Sequence, residues 1–252
     1  MAELKGKSII ITGGASGIGE AAALLAARAG ARVTVADLNR SLGDAVVKEI
    51  RTNGGEAQFV RTDIAEEAQV QAMVAAAVSS FGRLDGAFNN AGVPNAGLPL
   101  AELSFDAFRR NIGINLCGTF LCMKYEIAAM LKTGGGAIVN TSSNAGVLAI
   151  ANGADYVSSK HGVIGLTKSG ALDYATQNIR VNAVLPGVIR TAMMEVAFAA
   201  NPQLVQWASD IQPNKRIGQS HEVAEAALWL LSDAASLVTG ISMPVDGGYS
   251  MV

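Results

Sequence analysis

Ser8-Ile9-Ile10-Ile11-Thr12-Gly13-Gly14-Ala15-Ser16-Gly17-Ile18-Gly19 is the stretch on which the reading of the whole chain turns. A short apolar run, Ser8–Ile11, reads as a strand, and helical spacing of apolar residues sets in at Ile18 and continues to Ala29. Between them lies a glycine-rich turn. Glycines let such a turn tighten and let a diphosphate come up against the backbone. The free N–H groups and the positive dipole end of the following helix then favour the anion. The spacing here is Thr-Gly-x-x-x-Gly-x-Gly through Gly13, Gly17 and Gly19, not Gly-x-Gly-x-x-Gly. Taken alone, it is also compatible with plain turn chemistry.

Working outward, Asp37 ends the next strand-like run at roughly the ~20-residue interval where an acid accepts hydrogen bonds from adenosine ribose hydroxyls. The competing reading of Asp37 is a helix N-cap or a solvated loop acid. Further apolar, β-branched runs follow: Arg32–Ala36, Ala57–Arg61, Leu84–Phe88, Ala137–Asn140, Val181–Leu185 and Ile241–Val245. They suit parallel strands covered on both faces. Helical spacing appears over Ser41–Thr52, Glu66–Phe81, Ile114–Leu131, Ala154–Thr176 and Glu222–Leu231. Strand–helix alternation predicts an α/β, Rossmann-type doubly wound parallel sheet of about seven strands with helices on both faces. No composition break or linker divides residues 1–252, so a single domain is expected. Arg190–Lys215 breaks the alternation, with Met193, Met194, Val196, Phe198 and Trp207 interleaved with Pro202 and Pro213. We expect a substrate-binding lid over 190–215 without strands, the alternative being a helix that caps the sheet.

Composition narrows the function classes. Half of the residues are apolar and 16% are charged, which supports a large buried core. Gly supplies 28 of 252 residues without a Gly-X-Y period, which indicates tight turns and not collagen. Lys plus Arg total 19 against 21 acids, so no basic surface stands ready for nucleic acid. No apolar run approaches the ~18 residues of a membrane span, and the start is too short for an export signal. Cys117 and Cys122 share one helical segment on different faces. We expect buried, unpaired thiols and a cytoplasmic protein. Two histidines and no Cys/His cluster leave no basis for a metal site.

The ordered motifs make the chain resemble the short-chain dehydrogenase/reductase family over essentially its whole length. Besides Thr12–Gly19, they are Asn89-Asn90-Ala91-Gly92, Asn115 within Ile114–Gly118, Asn140-Thr141-Ser142-Ser143, Tyr156-x-x-x-Lys160, Pro186-Gly187 and Val245-Asp246-Gly247-Gly248. The resemblance implies a nicotinamide dehydrogenase with Asn115, Ser143, Tyr156 and Lys160 as its catalytic set. Ser142 competes with Ser143, and the family's usual interval to the tyrosine favours Ser143. It also implies a cofactor site made by Gly13, Ser16, Gly17, Ile18, Gly19 and Asp37. Asp63 and Ile64 would meet the adenine, and Asn90, Ala91 and Gly92 the adenosine ribose. Tyr156 and Lys160 would serve the cofactor too, with Pro186, Gly187, Ile189 and Thr191 around the carboxamide. A homotetramer is the assembly that the resemblance implies.

The residue types suit hydride transfer. A hydroxyl proton must leave as hydride departs, and free tyrosine, with a pKa of about 10, is a poor base near neutrality. Tyr156 and Lys160 stand one helical turn apart, so an ammonium is expected to favour the phenolate. Ser143 would orient the substrate oxygen, and Asn115 would support a proton path from Lys160. His161, rotated about 100° from Lys160 on the helix, is expected to be structural. Expected substrate lining is Val93, Pro94, Asn95, Ser143, Asn144, Ala145, Tyr156, Val188, Met193, Met194 and Phe198. Without an Arg cluster, a neutral secondary alcohol or ketone fits best, and the segments Leu84–Leu100 and Phe120–Tyr125 look similar to family members that oxidise cyclic diols. Asp37, with Ser16 and Leu38 where a cation would draw a phosphate, points to NAD over NADP. A ketoacyl-carrier-protein reductase is the competing enzyme reading, disfavoured by Asp37 and by the lack of a basic patch. A non-catalytic cofactor-binding regulator is disfavoured because Tyr156 and Lys160 are both present.

Overall fold

Each expected strand forms. In chain order the strands are β1 (Ser8–Thr12), β2 (Arg32–Asp37), β3 (Glu56–Arg61), β4 (Gly86–Asn89), β5 (Gly136–Thr141), β6 (Ile179–Pro186), β7 (Ile189–Arg190), β8 (Gly218–Gln219) and β9 (Ser242–Val245). They come from a computed structural model that describes residues 3–251, apart from the side chains of Met193 and Ala197. Seven strands make one parallel sheet in the order β3-β2-β1-β4-β5-β6-β9, and β7 pairs with β8 outside it. The order reverses between β1 and β4, and in such sheets the crevice beyond the strand ends at that point takes the ligand.

The helices are α1 (Gly17–Arg28), α2 (Arg40–Thr52), α3 (Glu67–Phe81), α4 (Phe105–Asn111), α5 (Thr119–Met130), α6 (Ala154–Tyr174), α7 (Ala192–Ala200), α8 (Gln203–Asp210) and α9 (Ser220–Leu231). Alternation in β1 explains why its apolar run has no polar break. Ile9 and Ile11 face α1 and α9 through Ala22, Ala26, Val223 and Ala227. Ile10 faces the other layer, with Met73 of α3 and Met130 of α5. All three isoleucines are fully buried, and truncating any of them to Ala would cost about 2–5 kcal/mol.

Three expectations need correction. The helix expected from Ile114 begins at Phe105, where Ser104 Oγ accepts the Ala107 N–H (3.2 Å), and it passes through a π-helical stretch, Ile112–Gly118, before α5. The 190–215 segment holds two short helices, and Arg190 belongs to the small strand β7. Cys122 is buried as expected, but Cys117 is exposed, because the π stretch turns it outward; neither cysteine is paired. Among the described residues, no helix is long and apolar enough to cross a membrane and no cluster of His, Cys, Asp or Glu could hold a metal ion.

Candidate active site

The glycine turn closes over the ends of β1 and β4. Gly13 has φ of +63°, and a Cβ there would fall 2.9 Å from Ala91 Cα, so a side chain would push the two strand ends apart. A Cβ on Gly19 would strike the Gly13 carbonyl. Thr12, part of the glycine motif but given no role by the sequence, knits this junction. Its Oγ1 accepts the N–H groups of Asn90 (3.0 Å) and Ala91 (3.1 Å), while Asn90 Nδ2 donates to Thr12 O (3.3 Å). Ser16 stands at the N-cap of α1 with an exposed hydroxyl that makes no capping bond. That leaves the hydroxyl and the first-turn N–H groups of Gly17, Ile18 and Gly19 for an anion, so the turn fits a diphosphate.

Asp37 does not cap α2, a place that Asn39 takes. Its Oδ2 accepts the Ala15 N–H (3.1 Å) and its Oδ1 the Asn39 N–H (2.9 Å), which ties the glycine turn to the end of β2. The carboxylate stays half-buried at the rim of the crevice. Arg40, the nearby cation, lies with its guanidinium 5.3 Å from the Phe59 ring centroid. Asp63 Oδ1 accepts the Ala65 N–H (3.0 Å), and Ile64 is buried against Gly118. At the far side of the crevice, Pro186 ends β6, Gly187 N–H donates to Val245 O (3.1 Å), Ile189 is buried, and the Thr191 methyl packs over Gly17.

Tyr156 and Lys160 share one face of α6. Lys160 is buried, its Nζ donates to Thr141 O (2.8 Å), and it lies 5.4 Å from the Tyr156 ring centroid. Burial lowers the Lys160 pKa to about 8. The expectation for Tyr156 needs correction. Burial pushes its pKa above the ordinary phenol value, and only a contact with Ser143 draws it back. The structure also separates the two serines. Ser142 Oγ donates to the Lys160 carbonyl (2.9 Å) and is turned into α6. Ser143 Oγ accepts the Ala145 N–H (3.1 Å), donates to Asn144 Oδ1 (3.0 Å) and stands by the phenol. Asn115 is fully buried; its Oδ1 accepts the Val93 N–H (2.8 Å) and its Nδ2 donates to Val93 O (2.9 Å). It therefore holds the backbone after β4. His161 is exposed with Nδ1 at 2.9 Å from Val157 O, the structural place expected for it.

The substrate side is less uniform. Val93, Pro94 and Asn95 follow β4 directly beside Gly92, where a Cβ would lie 3.7 Å from Lys160 Nζ. Asn144 and Ala145 are buried beside Ser143. Val188 is half-buried, with its carbonyl accepting the Gly218 N–H (3.0 Å) and Gln212 Nε2 (3.3 Å). Met194 is half-buried, whereas Phe198 is buried in its own segment, with the Arg190 guanidinium 6.0 Å from its ring centroid. The side chain of Met193 lies outside the described residues.

A doubly wound parallel sheet, an anion-ready glycine turn at the switch point and, beside it, buried Lys160 and Ser143 with half-buried Tyr156 define a dinucleotide-binding oxidoreductase. Residues 13–250 match a family model described as Enoyl-(Acyl carrier protein) reductase, and the chain belongs to the short-chain dehydrogenase/reductase family. It is 50% identical over 253 aligned positions, covering 100% of both chains, to the 2,5-dichloro-2,5-cyclohexadiene-1,4-diol dehydrogenase of Sphingobium indicum. It is 46% identical to the cyclohexanol dehydrogenase of Acinetobacter sp. strain SE19, covering 97% of this chain and 95% of that one. The crystal structure of levodione reductase superposes with a TM-score of 0.93 at 36% identity, covering 99% of each chain. The protein is an oxidoreductase that interconverts an alcohol and a ketone, and its family works with nicotinamide cofactors.

Proposed function

We propose that the protein oxidises a cyclic secondary alcohol, including cyclic diols, to the ketone with NAD, and that Tyr156 is its acid/base. The observation that carries this reading is the group at the end of β5, where buried Lys160 has its Nζ tied to Thr141 O and 5.4 Å from the ring centroid of half-buried Tyr156, and Ser143 is the neighbour that draws the phenol pKa down. A nicotinamide bound there supplies a hydride acceptor in oxidation and a hydride donor in reduction. Tyr156 takes the hydroxyl proton, Ser143 orients the substrate oxygen, and Lys160, whose pKa burial lowers to about 8, hands the proton onward. Asn115 serves by fixing the backbone that faces Lys160.

The class of substrate is supported by relatives named for cyclohexanol and a cyclohexadienediol and by the neutral residues Val93, Pro94, Ala145 and Val188. NAD is supported by Asp37 at the end of β2 and by Arg40, whose guanidinium is stacked on Phe59. The 190–215 segment acts as the lid, with Thr191 against Gly17 as its attachment to the cofactor turn. A cytoplasmic location accords with two unpaired thiols.

The test is Tyr156→Phe, measured as NADH formation together with NADH binding. Removal of the acid/base is expected to lower kcat by about 10²–10⁴ or more while cofactor binding stays within about twofold. In the wild type, oxidation should speed up as pH rises, because the phenol must ionise to accept a proton, and reduction should slow. A variant that keeps more than about a tenth of wild-type kcat would remove Tyr156 from the mechanism.

A further inference from the structure

The chain after β4 has neither helix nor strand until α4, yet it passes beside Lys160 at Gly92. Backbone groups in such a stretch need partners, and here buried side chains supply them. Asn115 brackets Val93, as described above. Asn111, one turn earlier, receives a bond from Asn115 Nδ2 (2.8 Å) and donates its own Nδ2 to Pro94 O (3.0 Å). Asp155 Oδ2 accepts the Ala96 N–H (3.0 Å) and also Asn111 Nδ2 (3.3 Å). Outside this ladder, Asn95 Nδ2 donates to Asn152 O (3.0 Å).

Three elements therefore meet at one carboxylate. Asp155 and Asn111 are each only 2% exposed. Asp155 lies in the first turn of α6, where the helix dipole favours a negative charge, and it directly precedes Tyr156. Its other oxygen, Oδ1, is buried without a hydrogen-bond partner among the described residues. A buried acceptor left unmatched works against stability, and such features persist where they serve a site.

We propose that Asp155 and Asn111 are positioning residues that hold Val93–Ala96 as a fixed wall beside Tyr156 and thereby set which alcohols are accepted. Neither touches the reacting atoms. They act through the loop, whose displacement by even ~1 Å is enough to cost ~10²-fold in a positioned reaction. The proposal rests on the alcohol dehydrogenase reading for its effect on selectivity, but not for its effect on the loop.

The experiment compares Asp155→Ala, Asp155→Asn and Asn111→Ala in the full-length protein. Asp155→Asn keeps an amide oxygen able to accept both bonds, so it separates the bonds from the charge. Hydrogen exchange over residues 92–100 should quicken in Asp155→Ala and Asn111→Ala and stay near wild type in Asp155→Asn. With cyclohexanol as substrate, the two alanine variants should raise the alcohol KM by about tenfold while the cofactor KM moves less than about twofold. The double alanine variant should be little worse than either single one, since both break the same ladder. Should Asp155→Ala fail to fold, Asn111→Ala and Asp155→Asn carry the same measurements. Unchanged exchange in the alanine variants, equal loss in Asp155→Asn, or a parallel loss of cofactor and alcohol affinity would overturn the proposal. A wild type inert towards every secondary alcohol would instead sink the activity reading, and the exchange result would still decide the role of the ladder.

Discussion

Ser142 and Ser143 are adjacent, chemically identical and both buried, yet they point at different partners. In the sequence nothing but a family interval told them apart. The physical reason is the pleat at the end of β5, which sends one hydroxyl to the Lys160 carbonyl and the next to the Tyr156 side. Ser143→Ala should therefore lower kcat by about 10²-fold with little change in melting temperature, as for loss of a donor to a reacting oxygen. Ser142→Ala should keep most of kcat and destabilise the fold by about 1 kcal/mol, the usual worth of one buried hydrogen bond. Steady-state kinetics and thermal melts on the two variants check both halves. A reversed pattern would exchange the two roles. Asp37 was legible from its position after β2, but its bond to the Ala15 N–H was not, because the sequence does not show where the glycine turn folds back.

Among the elements, strands were the easiest to read, because the apolar runs of β1, β2, β4, β5 and β6 are buried on both faces, while the edge strands β3 and β9 are only partly covered. The long helix that bears Asn115 was the hardest. Its first part, Phe105–Asn111, carries Asp106, Arg109 and Arg110 and so lacks a continuous apolar stripe, and a π-helical turn shifts the helical phase at Ile112–Gly118. Packing of Asn111 and Asn115 against the backbone after β4 is a tertiary effect that no local pattern announces. α5 hides a second such feature. Glu126 is fully buried, with Asn89 Nδ2 donating to its Oε2 (3.0 Å), and Asn89 in turn bonds Asn140 (3.1 Å). Burial pushes the Glu126 pKa up to about 8. The folded state then holds a proton that the unfolded chain gives up from about pH 4.5. Its contribution is whole below that value and is lost as pH rises towards 8, by an amount on the order of a few kcal/mol. Melting temperatures of wild type and Glu126→Gln should therefore diverge between pH 5 and pH 8, with the Gln variant gaining on wild type. A difference that does not change with pH would show that Glu126 keeps its charge in the fold.

For the molecule as a whole, the doubly wound architecture was readable, since it follows from the alternation of strands and helices, and the glycine turn falls where the strand order reverses. A homotetramer is what the family resemblance implies, and α6 carries several small residues; of these, Gly162 and Gly170 face inward, against Leu116 and Met123. Ser158, Gly165 and Ser169 do face outward, with Leu172, 82% exposed, at the end of the same stripe. Together with exposed Phe105 and Phe120 this is the surface expected to be covered in a homotetramer. Light scattering should give about four times 25.9 kDa, and a particle of one chain would contradict it. In the proposed pairing of a cyclic alcohol with NAD, the Asp37 carboxylate is the group that would set the sign of the cofactor preference. Against a 2′-phosphate at about 4 Å, one charge pair is worth up to ~4 kcal/mol at an effective dielectric of ~20, and exposure and salt reduce this severalfold. Initial rates of cyclohexanol oxidation with NAD and with NADP, followed by absorbance of the reduced cofactor, test this most directly. The account predicts turnover with NAD and at least about a tenfold lower kcat/KM with NADP; equal rates with both cofactors, or none with either, would contradict it.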